Sequence, residues 1–272
     1  MSSAAPGAVL SVPWRFTQAD FECFAALSGD NNPIHVDAAF AAKTHFGRTV
    51  AHGMLLMGVV HGRIARWLNR PVLASHEMTF SAPTYADEDV DVRLELTAAD
   101  SSFLHVNTSV VHQQGTSGLT GKAMLQRVGR AVPLPPYLPP DSEALQDRGL
   151  RLGESARRTR QFTAEQLNRY AALVDDPDLP RDRVPPALLG GLISDLLGTT
   201  LPGPGTNWLK LRLALAGTVV PGESLLGEVI IVRLRPAKAL VNLRTTISNA
   251  QGVPLADGEA LVLVRDANRA RG

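Results

Sequence analysis

Two periods of apolar spacing alternate along the chain, and their order recurs once. Val12 to Phe16 leads into Thr17 and Asp20, a capping-box variant in which aspartate replaces the usual glutamate or glutamine. Phe21, Phe24, Ala25 and Leu27 then share one helical face, and Gly29 is placed to stop that helix. Asp30 to His35 reads as a loop, because Pro33 biases Asn32 away from the helical region. Asp37 caps a further short helix through Ala42, and Phe46 to Thr49 returns the chain to a longer one, roughly His52 to Leu68. That longer helix is apolar on nearly all sides apart from His61, Arg63 and Arg66, so it needs enclosure, most naturally by a curved sheet. After Pro71 the period becomes two, at His76 to Phe80, Val90 to Leu96, Phe103 to Val111 and Ala123 to Val128. At least four strands of one antiparallel sheet are predicted, with turns at Thr84 to Asp89 and Ser101-Ser102.

A proline-rich stretch, Val132 to Pro140, interrupts this order as a semi-rigid connection. Arg148, Arg151, Arg157, Arg158 and Arg160 follow, read first as a solvated face and second as a phosphate contact. The opening pattern then returns. Phe162-Thr163-Ala164-Glu165-Gln166 echoes Phe16-Thr17-Gln18-Ala19-Asp20, and Leu188 to Leu201 repeats the apolar helix before Pro202-Gly203-Pro204-Gly205 ends it. Strand-like runs follow at Asn207 to Ala214, Ser224 to Leu234, Leu240 to Ile247 and Ala260 to Val264. An internal duplication is the economical account, with one repeat over 1–131, a linker over 132–160 and a second repeat over 161–272.

A chain of 272 residues can bury one large or two ordinary cores. Its formal net charge of +1 argues against polyanion binding as the main task, so no nucleic-acid partner is expected. Cys23 is the only cysteine, which excludes an internal disulfide and any zinc site built on cysteines. Met1 to Val9 lacks the basic and apolar regions of a secretory signal, and the run from Met54 to Val60 is too short to span a membrane. A cytoplasmic protein without a membrane partner is expected.

The chemistry concentrates between Ser28 and Leu56. Asp30 and His35 stand five positions apart with Asn32 and Pro33 between them, and Ala51-His52-Gly53-Met54 opens the apolar helix. A carboxylate, an imidazole and a backbone N–H at a helix start are the groups needed to add water to a polarised double bond or remove it. Taken singly, Asp30 is also a turn cap and His35 an ordinary partly buried histidine. Their joint occurrence with Asn32-Pro33 and His52-Gly53 favours chemistry, because a turn alone requires no imidazole at 35. His52 is read as a packing or hydrogen-bonding residue beside the site. In the second repeat Asp176 falls opposite Asp30, but no histidine follows it, and Pro185-Pro186-Ala187 stands opposite Ala51-His52-Gly53. All seven histidines lie at or before His112, so one reaction centre per chain is expected. The remaining histidines show no ligand spacing, and no metal is expected.

Asp20-x-x-x-Phe24-Ala25-x-x-Ser28-Gly29-Asp30-x-Asn32-Pro33-Ile34-His35, with Phe46-Gly47 and Ala51-His52-Gly53-Met54-Leu55, closely resembles the MaoC-like dehydratase, or (R)-specific enoyl-CoA hydratase (hydratase 2), family. The resemblance implies an α+β double hot dog, two tandem repeats each with a long central helix wrapped by an antiparallel sheet. It implies Asp30 and His35 as the catalytic pair, Gly53 as the backbone donor to the thioester carbonyl and Asn32 as a positioning residue. The implied reaction is reversible hydration of trans-2-enoyl-CoA to (R)-3-hydroxyacyl-CoA, with no cofactor beyond the coenzyme A or phosphopantetheine of the substrate. Three alternatives stay open: a 3-hydroxyacyl dehydratase acting on acyl carrier protein, a thioester hydrolase, and a non-catalytic thioester-binding or assembly subunit. The double fold suffices as a monomer, or two such chains could pair as a homodimer through sheet edges.

Overall fold

A computed structural model describes residues 4–127 and 141–267. The proline-rich connection at 132–140, and Val128 at the end of an expected strand, lie outside them. The first half contains β1 (Val9–Arg15), α1 (Gln18–Ser28), α2 (Pro33–Val36), α3 (Ala38–Ala41), α4 (Gly53–Trp67), β2 (Val72–Thr79), β3 (Asp89–Ala99), β4 (Phe103–His112) and β5 (Ser117–Gln126). Then come the short β6 (Gln146–Asp147) and β7 (Leu150–Arg151), β8 (Ser155–Arg160), α5 (Ala164–Leu173), α6 (Pro186–Thr199), β9 (Asn207–Leu215), β10 (Leu225–Arg235), β11 (Leu240–Asn249) and β12 (Pro254–Leu263).

Local chemistry sets several of these boundaries. The Thr17 hydroxyl accepts the Asp20 N–H while the Asp20 carboxylate accepts the Thr17 N–H, so the box that starts α1 is complete with aspartate. Gly29 ends α1 at φ 85°, a left-handed conformation that a Cβ would strain. The segment expected as a loop from Asp30 to His35 is corrected in its second part: Pro33–Val36 is a single helical turn, with Asn32 as its N-cap. Proline suits that first position because its fixed φ is helical and its missing N–H would have been unpaired there. Asn32 itself is non-helical, as the residue before a proline should be.

Ten strands form one antiparallel sheet in the order β1-β3-β4-β5-β2-β9-β12-β11-β10-β8. That order reads the same from either edge, with β2 and β9 paired at the middle from Ser75↔Ala214 to Thr79↔Lys210. Ser155–Arg160, which the sequence pattern assigned to the linker, occupies the edge position equivalent to β1 and pairs with β10. Arginine and threonine on an exposed edge supply none of the apolar alternation by which a strand is recognised.

α4 and α6 pack against each other, α4 also against β3 and β4, and α6 against β8 and β10. This encloses the apolar circumference of both helices: Met54 to Val60 and Ala187 to Gly198 are all buried. One apolar cluster runs through both halves, from Phe16 to Val264. The fold is therefore α+β, a double hot dog in which two central helices share one curved sheet. Gly191 allows α6 to approach the last turn of α1, since a Cβ there would lie 2.7 Å from Ser28 Cβ. Gly191→Ala is expected to cost about 1–3 kcal/mol by overpacking. A lower urea midpoint checks this; an unchanged midpoint would show that the contact relaxes.

Candidate active site

The turn after α1 delivers Asp30 into the interior, where it is 1% exposed. Its Oδ1 accepts the Asn32 N–H at 3.1 Å and its Oδ2 accepts the Ser194 hydroxyl at 2.5 Å. Both carboxylate oxygens are thus held, one by its own loop and one by α6 of the other half. On α2, His35 places Nδ1 2.7 Å from the Val50 carbonyl oxygen. A carbonyl only accepts, so Nδ1 carries the proton and Nε2 keeps a free lone pair. Burial lowers the His35 pKa from 6.5, against the opposing pull of Asp30 and of the Val50 hydrogen bond, so the ring is neutral at neutral pH.

His52 caps no helix with its side chain; it supports the site from behind. Its Nε2–H donates to the Asp30 carbonyl at 3.0 Å, and its ring stacks on His35 with centroids 3.8 Å apart. Burial, then the adjacent His35, push its pKa well below 6.5. Asn32 ties the motif to the loop after α6: its Nδ2 donates to the Thr206 carbonyl at 3.0 Å and its Oδ1 accepts the Gly205 N–H at 3.1 Å. Gly53 is the first residue of α4, so its N–H has no partner within the helix. His35, Asn32, Gly53 and Ser194 line one cavity of about 360 Å³. All five residues expected from the sequence therefore gather in one place.

Asp30, His35 and His52 each bring a potential ligand atom within 4.8 Å of the others, a grouping that the sequence spacing did not suggest. The imidazoles of His35 and His52 are stacked 27° from parallel, and each gives one ring nitrogen to a backbone carbonyl, that of Val50 and that of Asp30. That arrangement suits hydrogen bonding. Two of the arginines expected on a solvated face turn inward: Arg158 Nη1 lies 2.5 Å from Asp195 Oδ2, and Arg160 Nη2 donates to the Leu27 carbonyl at 2.6 Å. A larger depression of about 810 Å³ on the sheet surface, lined by Glu77, Arg93, Lys122 and Arg212, contains none of the expected site residues.

Residues 3–129 match the family described as MaoC like domain. The (R)-specific enoyl-CoA hydratase of Aeromonas caviae is 34% identical over 116 residues, which is 41% of this chain and 87% of that protein. The chain belongs to the MaoC-like family. A 3-hydroxybutyryl-CoA dehydratase of Methylorubrum extorquens is 35% identical over 82 residues, 29% of this chain and 52% of that protein. A solved MaoC-like dehydratase aligns with TM-score 0.77 at 14% identity over 97% of this chain and 99% of its own. A Mycobacterium tuberculosis protein described as having a double hotdog fold aligns with TM-score 0.75 at 14% identity over 96% of each chain. At such identity these two show the fold, which extends over both halves, whereas the family match lies in the first.

In this MaoC-like enzyme, of the hydratase and dehydratase class, the second half lacks the chemical groups of the first. Asp176 is buried in an ion pair with Arg70 at 2.7 Å. Sequence spacing set Ala187 opposite Gly53, but the helix starts equate Gly53 with Pro186, which has no N–H to donate. Counted from these starts, His61 and Ser194 are both the ninth residue of their helices. Ser194 is the site residue that sequence reasoning missed, because nothing local marks a serine inside an apolar helix as the partner of a carboxylate 164 positions away.

A second histidine cluster lies inside the first half, where His61 Nε2 meets His76 Nδ1 at 3.0 Å and His76 Nε2 meets Thr108 Oγ1 at 2.9 Å. Burial lowers the His61 pKa from 6.5 to about 4, and lowers that of His76 still more clearly with His61 beside it. Below pH 6.5 the unfolded chain takes up protons that the folded His35, His52, His61 and His76 refuse, so stability falls from there down to about pH 4. The thermal midpoint is expected to be lower near pH 5 than near pH 7.5. Equal midpoints, measured by circular dichroism, would contradict the neutral buried imidazoles.

Proposed function

We propose that this chain catalyses the reversible hydration of a trans-2-enoyl-CoA to the (R)-3-hydroxyacyl-CoA. The observation that carries the reading is a buried carboxylate and a neutral imidazole with a free Nε2, Asp30 and His35, beside a cavity that also holds the Gly53 N–H at a helix start. The thioester carbonyl accepts the Gly53 N–H, and the α4 N-terminus stabilises the negative charge that builds on its oxygen. A water held between the Asp30 carboxylate and His35 Nε2 loses a proton to this pair as its oxygen attacks C3, and the pair delivers a proton to C2. Water is thus added across the double bond, and the same steps in reverse remove it. The Aeromonas caviae relative, named as an (R)-specific enoyl-CoA hydratase, supports both the reaction and the product configuration.

Ser194 positions the base. Its hydroxyl donates to Asp30 Oδ2, the oxygen that the Asn32 N–H leaves free, and so fixes the carboxylate plane. Asn32 holds the same loop from the other side through Gly205 and Thr206.

Loss of enoyl absorbance with crotonyl-CoA, with free thiol followed in parallel, tests the reaction. Hydration without thiol release is expected, falling at least about a hundredfold in Asp30→Asn and His35→Ala. Full activity in folded His35→Ala would sink the assignment, and thiol release would indicate hydrolysis. Removing one hydrogen bond to the carboxylate by Ser194→Ala is expected to lower kcat/KM about 10- to 100-fold. Wild-type kinetics in that variant would leave Ser194 without a positioning role.

A further inference from the structure

An aromatic pair bridges the β2/β9 seam at the mouth of the cavity. Phe80 follows β2 directly and donates its N–H to the Leu209 carbonyl of β9 at 2.8 Å. The rings of Phe80 and Trp208 lie 6.4 Å apart at 54°. Both residues line the 360 Å³ cavity with His35 and Gly53. Exposure orders that cavity by depth. Leu56, Leu197, Ser194 and Thr206 are buried and form its floor, whereas Ser81 is exposed and Gly53, Phe80, Pro83, Asn207 and Trp208 are half-buried.

Phe80 is pressed against the proposed oxyanion donor: a Cβ at Gly53 would lie 2.7 Å from Phe80 Cζ and 2.8 Å from Cε1. Phe80 therefore packs on the first residue of α4, and Trp208 is its aromatic neighbour across the seam. The indole Nε1–H is already donated to the Lys210 carbonyl at 2.8 Å, so Trp208 meets a ligand through its ring face. An indole face suits a thin chain of alternating amide planes and methylenes, because it gains apolar contact and stacks on the amide groups. Asn207 and Ser81, lining the same cavity, offer side-chain hydrogen bonds to such amides.

We propose that Trp208 and Phe80 form the binding site for the phosphopantetheine arm of the substrate, with Trp208 packing on the arm at the rim and Phe80 covering the thioester. This rests on the thioester reading above, and it assigns recognition of the arm to residues on both sides of the seam. Phe80 belongs to the first half and Trp208 to the second, so the second half takes part in binding the substrate.

Binding is tested apart from catalysis with butyryl-CoA, which is saturated and cannot be hydrated. The chain has three tryptophans, and Trp14 and Trp67 do not line this cavity, so a ligand-induced change in emission reports on Trp208. A saturable change is expected in the wild type and its loss in Trp208→Phe. In kinetics, Trp208→Ala is expected to raise KM about tenfold for crotonyl-CoA and for crotonyl-pantetheine, with kcat within about twofold. The crotonyl thioester of N-acetylcysteamine, which lacks the outer part of the arm, should keep its wild-type KM. Unfolding midpoints check that both variants fold. An unchanged wild-type emission at saturation, an equal rise in KM for the truncated thioester, or a penalty that grows with acyl length would overturn the assignment. Binding of butyryl-CoA at Trp208 without any hydration of crotonyl-CoA would remove the hydratase reading and leave the arm site standing. Hydration with unchanged KM in Trp208→Ala would do the reverse.

Discussion

The antiparallel pairing of β2 with β9 is the contact on which the rest of the molecule depends. Its register, Ser75↔Ala214 to Thr79↔Lys210, joins two curved five-stranded halves into one surface. Two helices that are apolar on nearly every side then have only that surface and each other to bury against. α4 and α6 are therefore neighbours, and the ninth residue of α6 reaches the first half. Ser194 meets Asp30 for this reason, and the loop after α6 meets Asn32.

A carboxylate with 1% exposure is costly to hold unless its oxygens are hydrogen-bonded. Asp30 meets this condition with one donor from each half, the Asn32 N–H and the Ser194 hydroxyl. The next residue of α6, Asp195, is also buried; desolvation raises its pKa, opposed by the Arg158 guanidinium 2.5 Å away. Arg160 extends the polar layer to the Leu27 carbonyl at the end of α1. The second half has thus kept the packing of the first and uses it differently. Where the first half has a glycine N–H at the helix start it has Pro186, and Asp176 is held by Arg70.

Much of this architecture could be read from neighbours in sequence. The capping box at Thr17 and Asp20, the stop at Gly29, the two apolar helices and the period-two strands all depend on interactions within a few residues, and each lies close to where it was expected. The grouping of Asp30, His35 and Gly53 was legible for the same reason, because the turn after α1 and the start of α4 carry their own local marks. His35 on a helical turn was missed because Pro33 was read as a break, although proline also begins helices. β8 was missed because two of its inward positions, Arg158 and Arg160, are as polar as its outward Arg157 and Thr159, which leaves no apolar alternation to read.

The sequence by itself determined most of the elements, their recurring order and the acid, imidazole and amide groups of the first half, since backbone propensity and capping act over distances of a few residues. Only the tertiary structure decided which surface completes the site. Ser194 beside Asp30, Gly205 beside Asn32 and Trp208 beside Phe80 are separated by more than a hundred positions each. Such pairs carry no local pattern, because they follow from burial of both central helices against one shared sheet.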